Sequence, residues 1–72
     1  MEIGQKLREA RQRRGLTQEE LAERLRLSRQ TISNWENERS YPDIMSLIAL
    51  SDLYGLSLDE LVKEDRHMID HL

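Results

Sequence analysis

Gln30, Ser33, Asn34 and Asn37 are spaced i, i+3, i+4 and i+7. On a helix that spacing places all four on one face, with Arg29 beside them at the N-terminal end. A solvated helix face ordinarily carries Glu and Lys. A row of amides and a hydroxyl next to an arginine supplies groups that match base edges in a DNA major groove, Gln and Asn to adenine and Arg to guanine. Residues 24–35, RLRLSRQTISNW, contain three arginines and no acid, so an anion-binding face is expected there. Thr17 and Gln18 open the preceding helix, where free N–H groups and the helix dipole favour a phosphate. Past the stripe, Asn37, Arg39, Ser40 and Tyr41 form a polar, basic loop able to hold the sugar-phosphate backbone on the other side.

The elements that must position these groups are all helical by periodicity; no stretch alternates as a strand would. A first helix from about Ile3 to Arg14 places Ile3, Leu7 and Ala10 inward, and Gly15 suits the left-handed position that ends it. Thr17-x-x-Glu20 is a capping box, so the second helix starts at Gln18 and buries Leu21, Ala22 and Leu25. Ser28 caps a third helix that reaches about Glu36 with Ile32 and Trp35 inward. Only Arg26-Leu27-Ser28 separates helices two and three, which forces them to meet steeply around Ala22, Leu25, Leu27 and Ile32 as a helix-turn-helix. Tyr41-Pro42-Asp43 starts a fourth helix, apolar nearly all round (Ile44, Met45, Leu47, Ile48, Ala49, Leu50, Leu53, Tyr54), which is expected to be central and most buried. Gly55 ends it, and Ser57-x-x-Glu60 opens a short fifth helix with Leu58, Leu61 and Val62 inward. The expected fold is a compact all-α bundle of five helices.

Length and composition bound the function. The chain has 72 residues, 35% of them charged, and no cysteine, which leaves room for one small core held by packing alone. Net charge is -3, but residues 1–42 carry nine Lys/Arg against seven Asp/Glu, and residues 43–72 two against seven. The basic excess therefore falls on the half that holds the stripe. Mean hydropathy is -0.75 and no long apolar run occurs, so neither a membrane span nor a secretion signal is expected, and the location expected is the cytoplasm. An enzyme is not expected: no thiol is present, the histidines stand at 67 and 71, and the glycines are isolated. His67-x-x-x-His71 beside Asp70 lacks an evident third ligand, so no metal and no cofactor is expected.

The segment TQEELAERLRLSRQTISNWENERSYPD resembles the helix-turn-helix of lambda-repressor-like transcription regulators, the Cro/cI-type or xenobiotic-response-element family, and the resemblance runs from about Ile3 to Val62. Gln18, Leu21-Ala22 and Trp35-Glu36-Asn37 carry it. The resemblance implies a five-helix DNA-binding domain of bacterial or phage type. It implies base reading by Arg29, Gln30, Ser33 and Asn34, and phosphate contact by Gln18, Ser28, Thr31, Asn37, Arg39 and Tyr41, to which the helix-start argument adds Thr17. It also implies a structural pair between Arg11 and Glu36. Two positions depart from the pattern: Arg26 and Glu38 stand where glycine is common, so those turns are either strained or built differently. Glu38 also sets an acid beside Arg39.

The expected function is sequence-specific binding of double-stranded DNA by a transcription regulator acting as a repressor. An antitoxin or other protein-interaction module on the same fold is the alternative. One helix-turn-helix reads few base pairs, so a homodimer on a palindromic operator is expected. Residues 1–64 are expected to form the domain, and 65–72 a tail leading into a linker or further region. Helix five and the tail, with Met68, Ile69 and Leu72, are the surface expected to meet a second subunit.

Overall fold

The computed structural model describes residues 3–62 as five helices: α1 (Ile3–Arg13), α2 (Gln18–Leu25), α3 (Arg29–Glu36), α4 (Ile44–Tyr54) and α5 (Leu58–Val62). The tail residues singled out above, His67 to Leu72, lie outside the described residues. Local chemistry sets each start. The Thr17 hydroxyl accepts from the Glu20 N–H at 3.0 Å while the Glu20 carboxylate accepts from the Thr17 N–H at 2.9 Å. Ser57 and Glu60 repeat this reciprocal cap at 3.0 and 2.9 Å. Ser28 caps α3, and Asp43 caps α4 by accepting from the Ser46 N–H at 2.8 Å. These hydrogen bonds hold the Glu20, Glu60 and Asp43 carboxyls below their usual range, chiefly through the backbone N–H of Thr17, the backbone N–H of Ser57 and the bond to Ser46 respectively. Because the folded values are depressed, the caps stabilise the fold above the ordinary carboxylate range and lose that contribution as pH falls through the lowered values.

The ends of α1 to α4 share one device. A residue in left-handed conformation follows or closes each helix, namely Gly15, Arg26, Glu38 and Gly55, with φ of 69°, 59°, 60° and 67°. The next N–H in each case reaches back to a carbonyl five residues earlier: Leu16 to Arg11, Leu27 to Ala22, Arg39 to Asn34 and Leu56 to Ser51, at 2.8–3.2 Å. This closure satisfies carbonyls that the helix end would otherwise leave open. Of the two geometries open to the turns at Arg26 and Glu38, the chain adopts the left-handed one, at about 1–2 kcal/mol each for a side chain with a Cβ.

Ile3, Leu7, Ala10, Leu21, Ala22, Ile32, Trp35, Leu47, Leu50, Tyr54 and Leu61 form the core, with Leu25, Leu53, Leu56, Leu58 and Val62 packed against it. Two expectations are corrected. Leu27 is exposed, so the crossing of α2 and α3 is filled by Leu21, Ala22 and Ile32 with Leu25 half-buried. More consequentially, α4 is not the enclosed centre. It buries one side, Leu47, Leu50, Ser51 and Tyr54, at i, i+3, i+4 and i+7. Ile44, Met45 and Ile48 on it stay 61%, 70% and 39% exposed. An apolar helix needs neighbours on every side to disappear, and among the described residues the other four helices supply them on one.

Candidate nucleic-acid interface

Behind α3, three helices are tied by one buried carboxylate. Glu36, its side chain 1% exposed, accepts from Arg11 Nε at 2.7 Å and from Arg11 Nη2 at 3.0 Å, a two-point ion pair between α3 and α1. Gln18 Nε2, at the start of α2, donates to the same carboxylate at 3.0 Å, and Arg11 Nη1 donates to the Leu16 carbonyl at 2.8 Å. The Arg11 pKa is raised, first by its hydrogen bond to Glu36. The Gln18 side chain is thus turned inward, leaving the start of the α2 backbone, not this amide, toward any phosphate. The Tyr54 hydroxyl is buried without a hydrogen-bond partner among the described residues, and burial, then the charge on Glu36, pushes its pKa up, so it stays protonated.

The opposite side of α3 carries the polar stripe. Arg29 and Gln30 are exposed, and Ser33 and Asn34 are half-buried. Gln30 Nε2 donates to Asn34 Oδ1 at 3.0 Å, leaving the Gln30 carbonyl and the Asn34 amino group for an incoming edge. Ser28 and Thr31 share a hydroxyl–hydroxyl bond of 2.9 Å at the N-terminal end of the stripe. Thr17, Gln18, Glu19 and Arg29 line one open depression, which brings the first turn of α2 to the first residue of α3. Asn37, Arg39 and Tyr41 lie exposed beyond the far end of α3. Glu38, which in sequence seems to oppose Arg39, instead turns its carboxylate to the first turn of α1, where it accepts from the Gly4 N–H at 3.0 Å. A carboxylate at a helix N-terminus is favourably placed against the helix dipole.

Sequence reasoning missed Gly4 and Arg8. Gly4 is buried where α1 meets the end of α3; a Cβ there would lie 2.6 Å from the Glu36 carbonyl oxygen and 2.6 Å from Glu38 Cγ. Arg8 Nη2 donates to Asn37 Oδ1 at 3.0 Å, and Asn37 Nδ2 donates to Ser33 Oγ at 3.2 Å. The available signal was spacing: Gly4, Arg8 and Arg11 stand at i, i+4 and i+7, the line along which α1 meets α3.

A family model described as helix-turn-helix matches residues 7–61, spanning α2, its tight turn and α3 together with the helices that brace them. The chain belongs to the helix-turn-helix family. The HTH-type transcriptional regulator ImmR of Bacillus subtilis is 43% identical over 65 residues, 90% of this chain and 51% of that protein. The HTH-type transcriptional activator BcrR of Enterococcus faecalis is 44% identical over 62 residues, 86% of this chain and 30% of that protein. The immunity repressor protein of Bacillus phage phi105 is 34% identical over 65 residues, 90% of this chain and 45% of that protein. This helix-turn-helix chain therefore spans about half, or less, of the length of these curated relatives. Among its described residues, no helix is long and apolar enough to cross a membrane, and no group of three His, Asp or Glu could hold a metal ion.

Proposed function

We propose that this chain is the DNA-reading domain of a transcription regulator, with α3 laid in the major groove of double-stranded DNA. The carrying observation is the two-sided nature of α3: an acid-free outer stripe of Arg29, Gln30, Ser33 and Asn34, and a rear fixed to α1 and α2 through Glu36. Base edges meet the outer stripe. Phosphates meet the start of α2 at Thr17 and Gln18, the α3 start at Ser28 and Thr31, and the loop at Asn37, Arg39 and Tyr41. Repression is the simpler outcome, since occupying an operator needs no further contact with the transcription machinery. A DNA partner places the chain in the cytoplasm.

Selection of bound sequences from random duplexes should return a defined motif, and binding to it should fall steeply with salt, by a log–log slope of about 0.9 per phosphate neutralised. Gln30→Ala and Asn34→Ala should each change the preferred bases, by about 1–3 kcal/mol of discrimination, whereas Arg39→Ala should weaken all sequences alike. Absence of binding at low salt would sink the reading.

We further propose a homodimer on a palindromic operator, assembled on DNA. Met68, Ile69 and Leu72, which carried the surface expected for it, lie outside the described residues, and Leu58, Leu61 and Val62 of α5 pack against the core as expected. Among the described residues, the exposed apolar side chains that cluster on one helix are Ile44, Met45 and Ile48 of α4, just beyond the loop that follows α3. Half-sites lie about 34 Å apart. The domain extends 31 Å in its longest direction, so two copies at that spacing touch over a small area only. Three side chains per copy fall well short of the roughly 1,200 Å² of a stable interface, so the pair should form on DNA and not in solution. Met45→Asp should leave affinity for a single half-site unchanged and abolish cooperative filling of the full palindrome, read by comparing the two titrations. Independent filling of the half-sites by the unaltered chain would refute this pairing.

A further inference from the structure

Arg8 lies on α1, outside the helix-turn-helix, yet it begins a hydrogen-bonded chain that ends on the recognition stripe. Its Nη2 donates to Asn37 Oδ1 at 3.0 Å, and Asn37 Nδ2 donates to Ser33 Oγ at 3.2 Å. A guanidinium has five N–H donors and no acceptor, so only the carbonyl end of the Asn37 amide can face it. That fixes the amide: its amino end must face Ser33, and the Ser33 oxygen must accept. Arg8 is itself held, its Nε 3.6 Å from the buried Glu36 carboxylate, with the Arg8 side chain 43% exposed.

We propose that Arg8 is a positioning residue for base discrimination: by orienting Asn37 it leaves the Ser33 hydroxyl proton free to donate to DNA. The proposal rests on the reading of α3 as the groove-reading helix. Without Arg8 the Asn37 amide can turn over, and its carbonyl then takes the Ser33 proton. Ser33 would present lone pairs instead. The consequence is chemical and specific. Guanine O6 and N7, adenine N7 and thymine O4 accept in the major groove, whereas cytosine offers only an amino donor. A donating Ser33 therefore disfavours cytosine at the base position it faces. One neutral hydrogen bond sets the scale, a bias of about 2- to 10-fold, since a lone pair of Ser33 remains available to accept.

The experiment is selection from random duplexes with the unaltered chain, Ser33→Ala, Arg8→Met and Arg8→Lys, each followed by a salt titration on the selected site. Ser33→Ala identifies the motif position that Ser33 reads. The expected result is that Arg8→Met relaxes the exclusion of cytosine at that same position by about 2- to 10-fold and leaves the others intact. Arg8→Lys, which still offers only donors, should restore it, and the salt slope should be unchanged in both. A uniform loss across all positions, an unchanged profile, or a salt slope reduced by about one in Arg8→Met would overturn the proposal, the last because Arg8 would then be touching a phosphate directly. If the unaltered chain enriches no motif, the DNA reading itself falls and this proposal with it, an outcome separate from failure of the Arg8 variants alone.

Discussion

Arg11→Ala should destabilise the domain by about 3–5 kcal/mol, the range for breaking a buried ion pair from one side. The Glu36 carboxylate stays where it is, 1% exposed, and loses both bonds from Arg11. Among the described residues, Gln18 then donates to it across 3.0 Å as the one remaining close partner, with Arg8 at 3.6 Å. A chain of this size has a total stability of roughly 4–11 kcal/mol, so the variant should be largely unfolded at modest urea concentration. Replacing both partners, Arg11→Met with Glu36→Leu, should recover most of the loss, since the uncompensated charge is what is expensive. Equilibrium urea unfolding of the three proteins measures this. A midpoint for Arg11→Ala close to that of the unaltered chain would show that the pair contributes little.

The second large effect is expected at Gly4. An added methyl group would meet the Glu36 carbonyl oxygen and Glu38 Cγ at 2.6 Å, and the Trp35 carbonyl oxygen at 3.0 Å. Two of these three are backbone atoms and cannot swing aside, so α1 must move off the end of α3. That movement also lengthens the bond from the Gly4 N–H to Glu38. Gly4→Ala should therefore fall at the upper end of the overpacking range, about 3 kcal/mol, although alanine is the better helix former. The neighbouring exposed position supplies the comparison: Gln5→Ala should change stability by no more than about 0.5 kcal/mol. Equal unfolding midpoints for the two variants would remove the close approach from consideration.

What the sequence disclosed and what it withheld divide by distance along the chain. The reciprocal caps at Thr17–Glu20 and Ser57–Glu60 span three residues, and their chemistry is complete in the local pattern. The tight turn before Ser28 and the face shared by Gln30, Ser33 and Asn34 are equally local. Arg11 and Glu36, 25 residues apart, came into view only through family resemblance. Gly4 with Glu38, and Arg8 with Asn37, are 34 and 29 residues apart; the spacing of Gly4, Arg8 and Arg11 marks a shared face of α1 but does not name the partners. The error over α4 is of another kind. Its composition states what the helix would bury if surrounded, whereas burial depends on how many neighbours five short helices can place around it.

Trp35 is the single tryptophan of the chain, 6% exposed, one residue before the carboxylate that fixes α3 to α1. The fold thus carries its own optical reporter, and its fluorescence follows one event, the detachment of α3 from the core. On the proposed reading, duplex DNA lying along Gln30 and Asn34 would meet the other side of the same helix, too far round to stack on the indole. Emission from this one chromophore therefore separates loss of fold from loss of grip, so a variant that no longer binds can be sorted in a single cuvette, without a label.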